Sequence, residues 1–416
     1  MVAPVSALSV NVAGGRFTLA EILHEPSYRR LWASGLCMSV ARWMDLVTLG
    51  WLSFQLTGSP FMVGLAAFAR SAPMMFVGPF AGIVADRVPR GRVLVISQTT
   101  GLLAAALLAV VFATGHGGYW VLLALEFVFG VVWALDFPAR RTALYAVLGA
   151  PRVAQAVSLE TVSMQIAKMV GPLAAGFCLA RAGPMASFAT MGAIYLVGLV
   201  ASGPLGARLG GPSGGPTTSL AATMRAGLSA AWTSPTVRAV LLVTVAMNTL
   251  FFPYQHMLPV FAREVLALGP VGLGSLVAAD GCGALLGALL IAARRGGLGH
   301  RTMFGAASLA GPLLLVALSG SRRVVLCAAL LFVMGLAESA YAAMQSTLVL
   351  LSAPERMRGG VMGILSACIG TQPLGTLALG LLAGSAGVPV AFTVNALAAL
   401  LVIVPLSVPL VRGRPD

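Results

Sequence analysis

Seven ionisable residues stand inside otherwise apolar stretches of this chain: Arg42, Asp45, Arg70, Glu126, Lys168, Asp280 and Glu338. A charge in such a setting is costly unless it faces water or a partner. Two kinds of chemistry suit it. A carboxylate or a lysine can bind and release a proton, and a fixed charge can capture a small polar solute. Arg42, Asp45 and Lys168 are equally suited to a third role, as paired struts between helices. Glu126, Asp280 and Glu338 are read as proton or substrate sites. Arg42 and Asp45 lie three residues apart, on one helix face, and are expected to neutralise each other. Cys37, Cys178, Cys282, Cys327 and Cys368 all sit in apolar segments with no close pair. They indicate neither a disulfide framework nor a metal site, and no cofactor is expected.

The elements that hold these residues are membrane helices. The chain is 58% apolar and 9% charged, with a mean hydropathy of +0.94. A soluble chain carries roughly 25% charged residues, so lipid must cover apolar surface that no aqueous core could bury. Twelve apolar stretches are long enough to span, near 31–55, 61–84, 93–114, 119–139, 158–180, 185–206, 237–261, 272–293, 302–319, 324–349, 361–383 and 388–410. They run continuously without alternation, which excludes a β-barrel. The expected fold class is an all-α polytopic membrane protein.

A net charge of +14 invites a nucleic-acid reading, which its distribution refutes. With the N-terminus placed in the cytoplasm, the inner segments hold 19 arginines and the outer loops 4. That is the positive-inside pattern, with both termini inside. No basic run has the aromatic interleaving of a nucleic-acid surface. The first 30 residues lack the layout of a cleaved signal peptide. The single lysine beside 25 arginines points to a GC-rich bacterial genome, hence to a bacterial inner membrane.

A Gly/Pro/Ser/Thr-rich stretch from 207 onward divides the spans six and six. The expected organisation is a cytoplasmic segment at 1–30, a six-helix bundle at 31–207, a linker at 208–236, a second bundle at 237–410 and a tail at 411–416. The halves repeat. Pro60 and Gly64 match Pro270 and Gly274 at an offset of 210, which also carries Arg70 onto Asp280. Gly171 and Gly176 match Gly375 and Gly380 at an offset of 204. From this repeat, Arg70 and Asp280 are expected to face a central cavity from opposite halves and to polarise it. The alternative is that each pairs within its own half, Arg70 with Asp45 or Glu126.

The stretch GIVADRVPRGR (82–92) resembles motif A of the major facilitator superfamily, with Gly82, Asp86, Arg87, Arg90 and Arg92 on the matching positions. GPLAAG, with Gly171, Pro172 and Gly176, resembles the helix 5 antiporter motif, although Ala167 stands where a glycine is expected. LPVFAREVLALGPVGLG and PERMRGGVMG are similar to the drug-efflux branch that includes the enterobactin exporter. The resemblance implies two pseudo-symmetric six-helix bundles working by alternating access, with helices 1, 4, 7 and 10 lining the cavity. It implies that Asp86 docks on the N-terminus of helix 11 and that Arg87, Arg90 and Arg92 pair with Asp136 to shut the cytoplasmic side. Where the superfamily often has a motif B arginine, this chain has Glu126, with Arg42 as its expected partner.

The function so implied is proton-coupled efflux of a small amphipathic or siderophore-like molecule. The expected partners are that substrate, protons and the lipid bilayer, with the chain acting as a monomer. Four rivals make different demands on the sequence. An importer or facilitator is opposed only by the partial antiporter motif. A polytopic membrane enzyme would need a polar constellation in a loop, such as a His-Asp pair, and the loops offer only arginines. A transport-fold sensor should carry a soluble domain or a long tail. Nucleotide-driven pumping lacks its phosphate loop. No enzymatic activity is expected.

Overall fold

The computed structural model describes the backbone of residues 23–209, 228–229, 232–293, 299–353 and 357–412. Side chains are described there except at 76–87, 150–151, 153–154, 207–208, 358–359 and 408–412. All regular structure among the described residues is helical.

Helix α1 is Pro26–Thr57, opened by proline at its first position and closed by Gly58 in the left-handed region. It starts five residues earlier than expected. Helices α2 (Pro60–Arg87) and α3 (Arg90–Ala113) follow. The run Tyr119–Arg208 reverses at Gly149 and Gly183, whose φ values of 69° and 73° suit glycine alone. It thus divides into α4 (119–148), α5 (150–182) and α6 (184–208). Helix α7 spans Pro235–Glu264. It contains a π-turn at Met247–Phe251 and resumes at Tyr254 after Pro253. Helices α8 (Pro270–Ala293), α9 (His300–Gly320) and α10 (Val324–Ser352) are continuous. Helix α11 (Gly360–Ala386) is interrupted at Gly370 and Thr371, and α12 is Val388–Arg412.

Nine described stretches are both long and apolar enough to cross a membrane. One of them, Gln155–Gly206, has 52 residues and holds two helices, α5 and α6. Helix α1, at 32 residues, is long enough as well but carries Arg42 and Asp45. The outward surface is apolar: Val325, Leu401, Val200 and Trp120 are all more than 60% exposed. Water does not tolerate such a surface, and lipid does. Inside, Phe261 stacks on Phe392 at 5.6 Å, and Phe251 meets Tyr254 at 5.2 Å.

The internal repeat appears as one contact made twice. Gly176 of α5 faces the start of α8, where a Cβ would stand 2.5 Å from the Pro270 carbonyl oxygen. Gly380 of α11 faces the start of α2, where a Cβ would stand 3.0 Å from the Gly64 Cα. These crossings join α5 to α8 and α2 to α11, so each half grips the other along a diagonal. Both lie toward the end of the bundle opposite the chain termini, here the far end. Arg263 stacks over Trp51 at 5.4 Å at that same end, joining α7 to α1. The expected linker at 208–236 lies mostly outside the described residues.

Candidate functional site

One glycine-mediated crossing within each half brings charged residues together. Gly130 lets α4 rest on the α2 backbone at Arg70, since a Cβ there would stand 2.1 Å from the Arg70 carbonyl oxygen. Gly335 lets α10 rest on α8 at Asp280 with the same 2.1 Å approach. Glu126 lies one turn before Gly130, and Glu338 one turn after Gly335. Both carboxylates are thereby delivered to the charge on the neighbouring helix.

The first cluster joins α1, α2 and α4. Arg70 donates from Nε to Asp45 and from Nη2 to the Arg42 carbonyl oxygen at 3.1 Å. Its Nε also lies 3.4 Å from Glu126 Oε2. Glu126 is completely buried, and neither of its oxygens has a hydrogen-bond partner among the described residues. The expected Arg42–Asp45 pair is not made. Asp45 is held by Arg70, because a guanidinium from the neighbouring helix reaches the carboxylate and a backbone oxygen together. Nor does Arg42 compensate Glu126; it lies over the Trp133 ring, 3.9 Å from the centroid.

The second cluster crosses between the halves. Lys168 Nζ of α5 lies 2.7 Å from Asp280 Oδ2 of α8 and 2.8 Å from Glu338 Oε2 of α10. Glu338 also accepts from the Tyr254 hydroxyl at 2.9 Å and from Gln255 at 3.2 Å, both just beyond the break in α7. Gly281 admits the α5 backbone, since a Cβ there would stand 2.9 Å from the Lys168 carbonyl carbon. Arg70 and Asp280 therefore do not oppose each other. The diagonal packing puts Arg70 against its own half and gives Asp280 a lysine from the other one.

The remaining sequence candidates fall as follows. The side chains of Gly82, Asp86 and Arg87 lie outside the described residues. Asp136 is not the partner of Arg90 or Arg92. It is held in two bonds by Arg140, at 2.9 and 3.0 Å, one turn on in the same helix, where no loop need close to bring them together. Arg140 also donates to the Leu31 carbonyl at 2.8 Å and so ties α4 to α1. Arg92 is exposed. Gly171 and Pro172 are packing positions: a Cβ on Gly171 would stand 2.8 Å from the Met44 nitrogen, and the Pro172 carbonyl seats Gly274.

A cavity of about 300 Å³ lies on the terminus side of Lys168. Arg42, Arg70, Phe129, Trp133, Met164 and Gln372 are among the residues that line it. Gln372 follows the interruption in α11. Sequence reasoning missed Arg140, Tyr254, Gln255 and Trp133. Only Arg140 had a local signal, its four-residue spacing from Asp136.

Two charged clusters in a helical bundle, one linking the halves above a cavity, fit a carrier. The family model described as "Transmembrane secretion effector" matches residues 18–412. The chain belongs to this family of the major facilitator superfamily. It is a multi-pass membrane transporter, not an enzyme. It is 27% identical to the multidrug efflux pump Tap of Mycolicibacterium fortuitum, over 86% of this chain and 89% of that one. A shorter match, 24% identical over 42% of this chain and 44% of the relative, is to the staphyloferrin A transporter of Staphylococcus aureus. Among solved structures, a POT family transporter in complex with 5-aminolevulinic acid superposes with a TM-score of 0.75 at 10% identity, covering 93% of this chain and 96% of that one. The human organic anion transporter MFSD10 superposes with a TM-score of 0.60 at 16% identity, covering 92% and 99%. These two likenesses concern the fold.

Proposed function

We propose that this transporter expels a small amphipathic organic molecule from the cytoplasm by alternating access, driven by protons flowing inward. The observation that carries the reading is Lys168 bridging the halves between Asp280 and Glu338. One ammonium among two carboxylates is an interaction that must break when the halves separate at the far end. Without the ammonium, two negative charges remain in a low-dielectric interior, and protons are the available neutralising species. When the halves close again, the lysine displaces those protons toward the cytoplasm. The substrate, bound in the cavity on the terminus side, offsets the cost of breaking the bridge. Protons thus enter on the return stroke and substrate leaves on the outward one.

Several features support the accompanying details. The arginine distribution supports a bacterial inner membrane with both termini cytoplasmic. Glu126, buried beside the Arg70–Asp45 pair, is a second proton carrier in this scheme. Asp86, with Arg87, Arg90 and Arg92, supplies the cytoplasmic gate that forms when the far end opens. The Lys168–Asp280–Glu338 bridge closes within one chain, which suits a monomer working between a pseudo-symmetric N-terminal and C-terminal half. Similarity to the multidrug efflux pump Tap supports export over uptake.

The test is transport by purified protein in liposomes under an imposed pH gradient, acidic on the side opposite the termini. Accumulation of an amphipathic compound on the acidic side, abolished by a protonophore, is expected. Movement down the compound's own gradient only, indifferent to pH, would make the protein a facilitator.

A further inference from the structure

Among the described residues, Arg42 is an interior cation with neither an ion pair nor a hydrogen bond from its side chain. Arg70 spends its donors on Asp45 and the Arg42 carbonyl, Arg140 on Asp136 and α1, and Lys168 on two carboxylates. Among the described residues, Arg42 has no carboxylate within 4 Å and no hydrogen bond from its guanidinium. Its one contact of that kind is with the face of Trp133, 3.9 Å away. A guanidinium lying over an indole keeps the N–H groups of its edge directed outward in a plane, in the fork that matches a carboxylate. Here Arg42 lines the cavity. The other walls include Phe129, Trp133, Phe137 and Met164, flat or deformable apolar surfaces, beside the polar Arg70 and Gln372. At about 300 Å³ the space is at the small end of ligand pockets.

On the transport reading given above, we infer that the cargo is a small amphipathic organic anion. Its acidic group meets the Arg42 fork, and its aromatic or aliphatic body lies against Trp133, Phe129 and Met164. A lipophilic cation finds no free carboxylate facing it among the described lining residues, and Arg42 repels it. A neutral isostere leaves the guanidinium desolvated and unmatched.

Three probes of one shape decide this: naphthalene-2-carboxylate, naphthalene-2-carboxamide and 2-(aminomethyl)naphthalene. Calorimetric titration of the purified full chain is expected to show the carboxylate binding about tenfold or more tighter than the amide, the typical weight of a hydrogen bond to a charged group. The amine should be weakest. Arg42→Gln should level carboxylate and amide, and Arg42→Lys should keep part of the preference. Trp133→Leu should weaken both equally. Equal binding of carboxylate and amide, preference for the amine, absence of saturable carboxylate binding, or an undiminished preference in folded Arg42→Gln each overturns the inference. If Arg42→Gln does not fold, the wild-type ranking and Arg42→Lys still decide. Liposome transport separates the two readings. Export of the amide as fast as the carboxylate removes the anion assignment and keeps the transporter. Carboxylate binding without movement under any gradient does the reverse.

Discussion

Replacing Lys168 by methionine keeps the length of the side chain and removes its charge. The ammonium is buried, with Asp280 and Glu338 within 2.8 Å of it and also buried. Deleting one partner of a buried ion pair costs about 3–5 kcal/mol. Glu338 retains Tyr254 and Gln255, and a proton can neutralise part of what is left, so the lower figure applies. About 3 kcal/mol corresponds to roughly a hundredfold shift in an equilibrium. The cost falls on the conformation that holds the bridge, the one with the far end shut. The variant is therefore expected to populate a far-end-open state that the parent barely visits. Spin labels at Leu56→Cys and Glu264→Cys, on exposed sites at the far ends of α1 and α7, read that opening after the five native cysteines are replaced. A new, longer distance population should appear. The triple change Lys168→Met, Asp280→Asn and Glu338→Gln removes the charges together and should return most of the population to the closed state, since an uncharged replacement carries no unpaired ion. A single variant with the parental distance distribution would refute the bridge as a lock. So would a triple variant as open as the single one.

Three further outcomes are expected. Glu126→Gln should abolish pH-driven accumulation while leaving substrate exchange intact, read in the liposome assay; normal pH dependence in both this variant and Glu338→Gln would sink the proton assignment. Gly130→Ala and Gly335→Ala should each destabilise by about 1–3 kcal/mol through overpacking, because each Cβ meets a carbonyl oxygen at 2.1 Å; an unchanged thermal midpoint in detergent would show that α2 or α8 can withdraw at no cost. Asp136→Asn should lower that midpoint, because it leaves the buried Arg140 guanidinium without its carboxylate, whereas neutralising exposed Arg92 should leave it in place.

What could be read in advance divides along a physical line. Helix count and fold class follow from the length of apolar runs, a property of contiguous residues. The glycines Gly176 and Gly380 were visible as a repeat, and Glu126 was marked as a charge inside an apolar span. Partner choice was not legible. Arg42 and Asp45 share a face of α1, but a shared face says nothing about which guanidinium arrives from α2. Lys168 and Asp280 are brought together only because the halves grip diagonally, a fact no local spacing encodes. Composition did hold one clue. A chain with 25 arginines and one lysine keeps that lysine at the point where the halves meet. Arginine would bind both carboxylates as a rigid, weakly hydrated fork suited to a permanent pair. Lysine presents a compact, strongly hydrated charge on a flexible stem, which two acids can share and water can reclaim. A bridge that must form and break once per cycle calls for the second kind of cation.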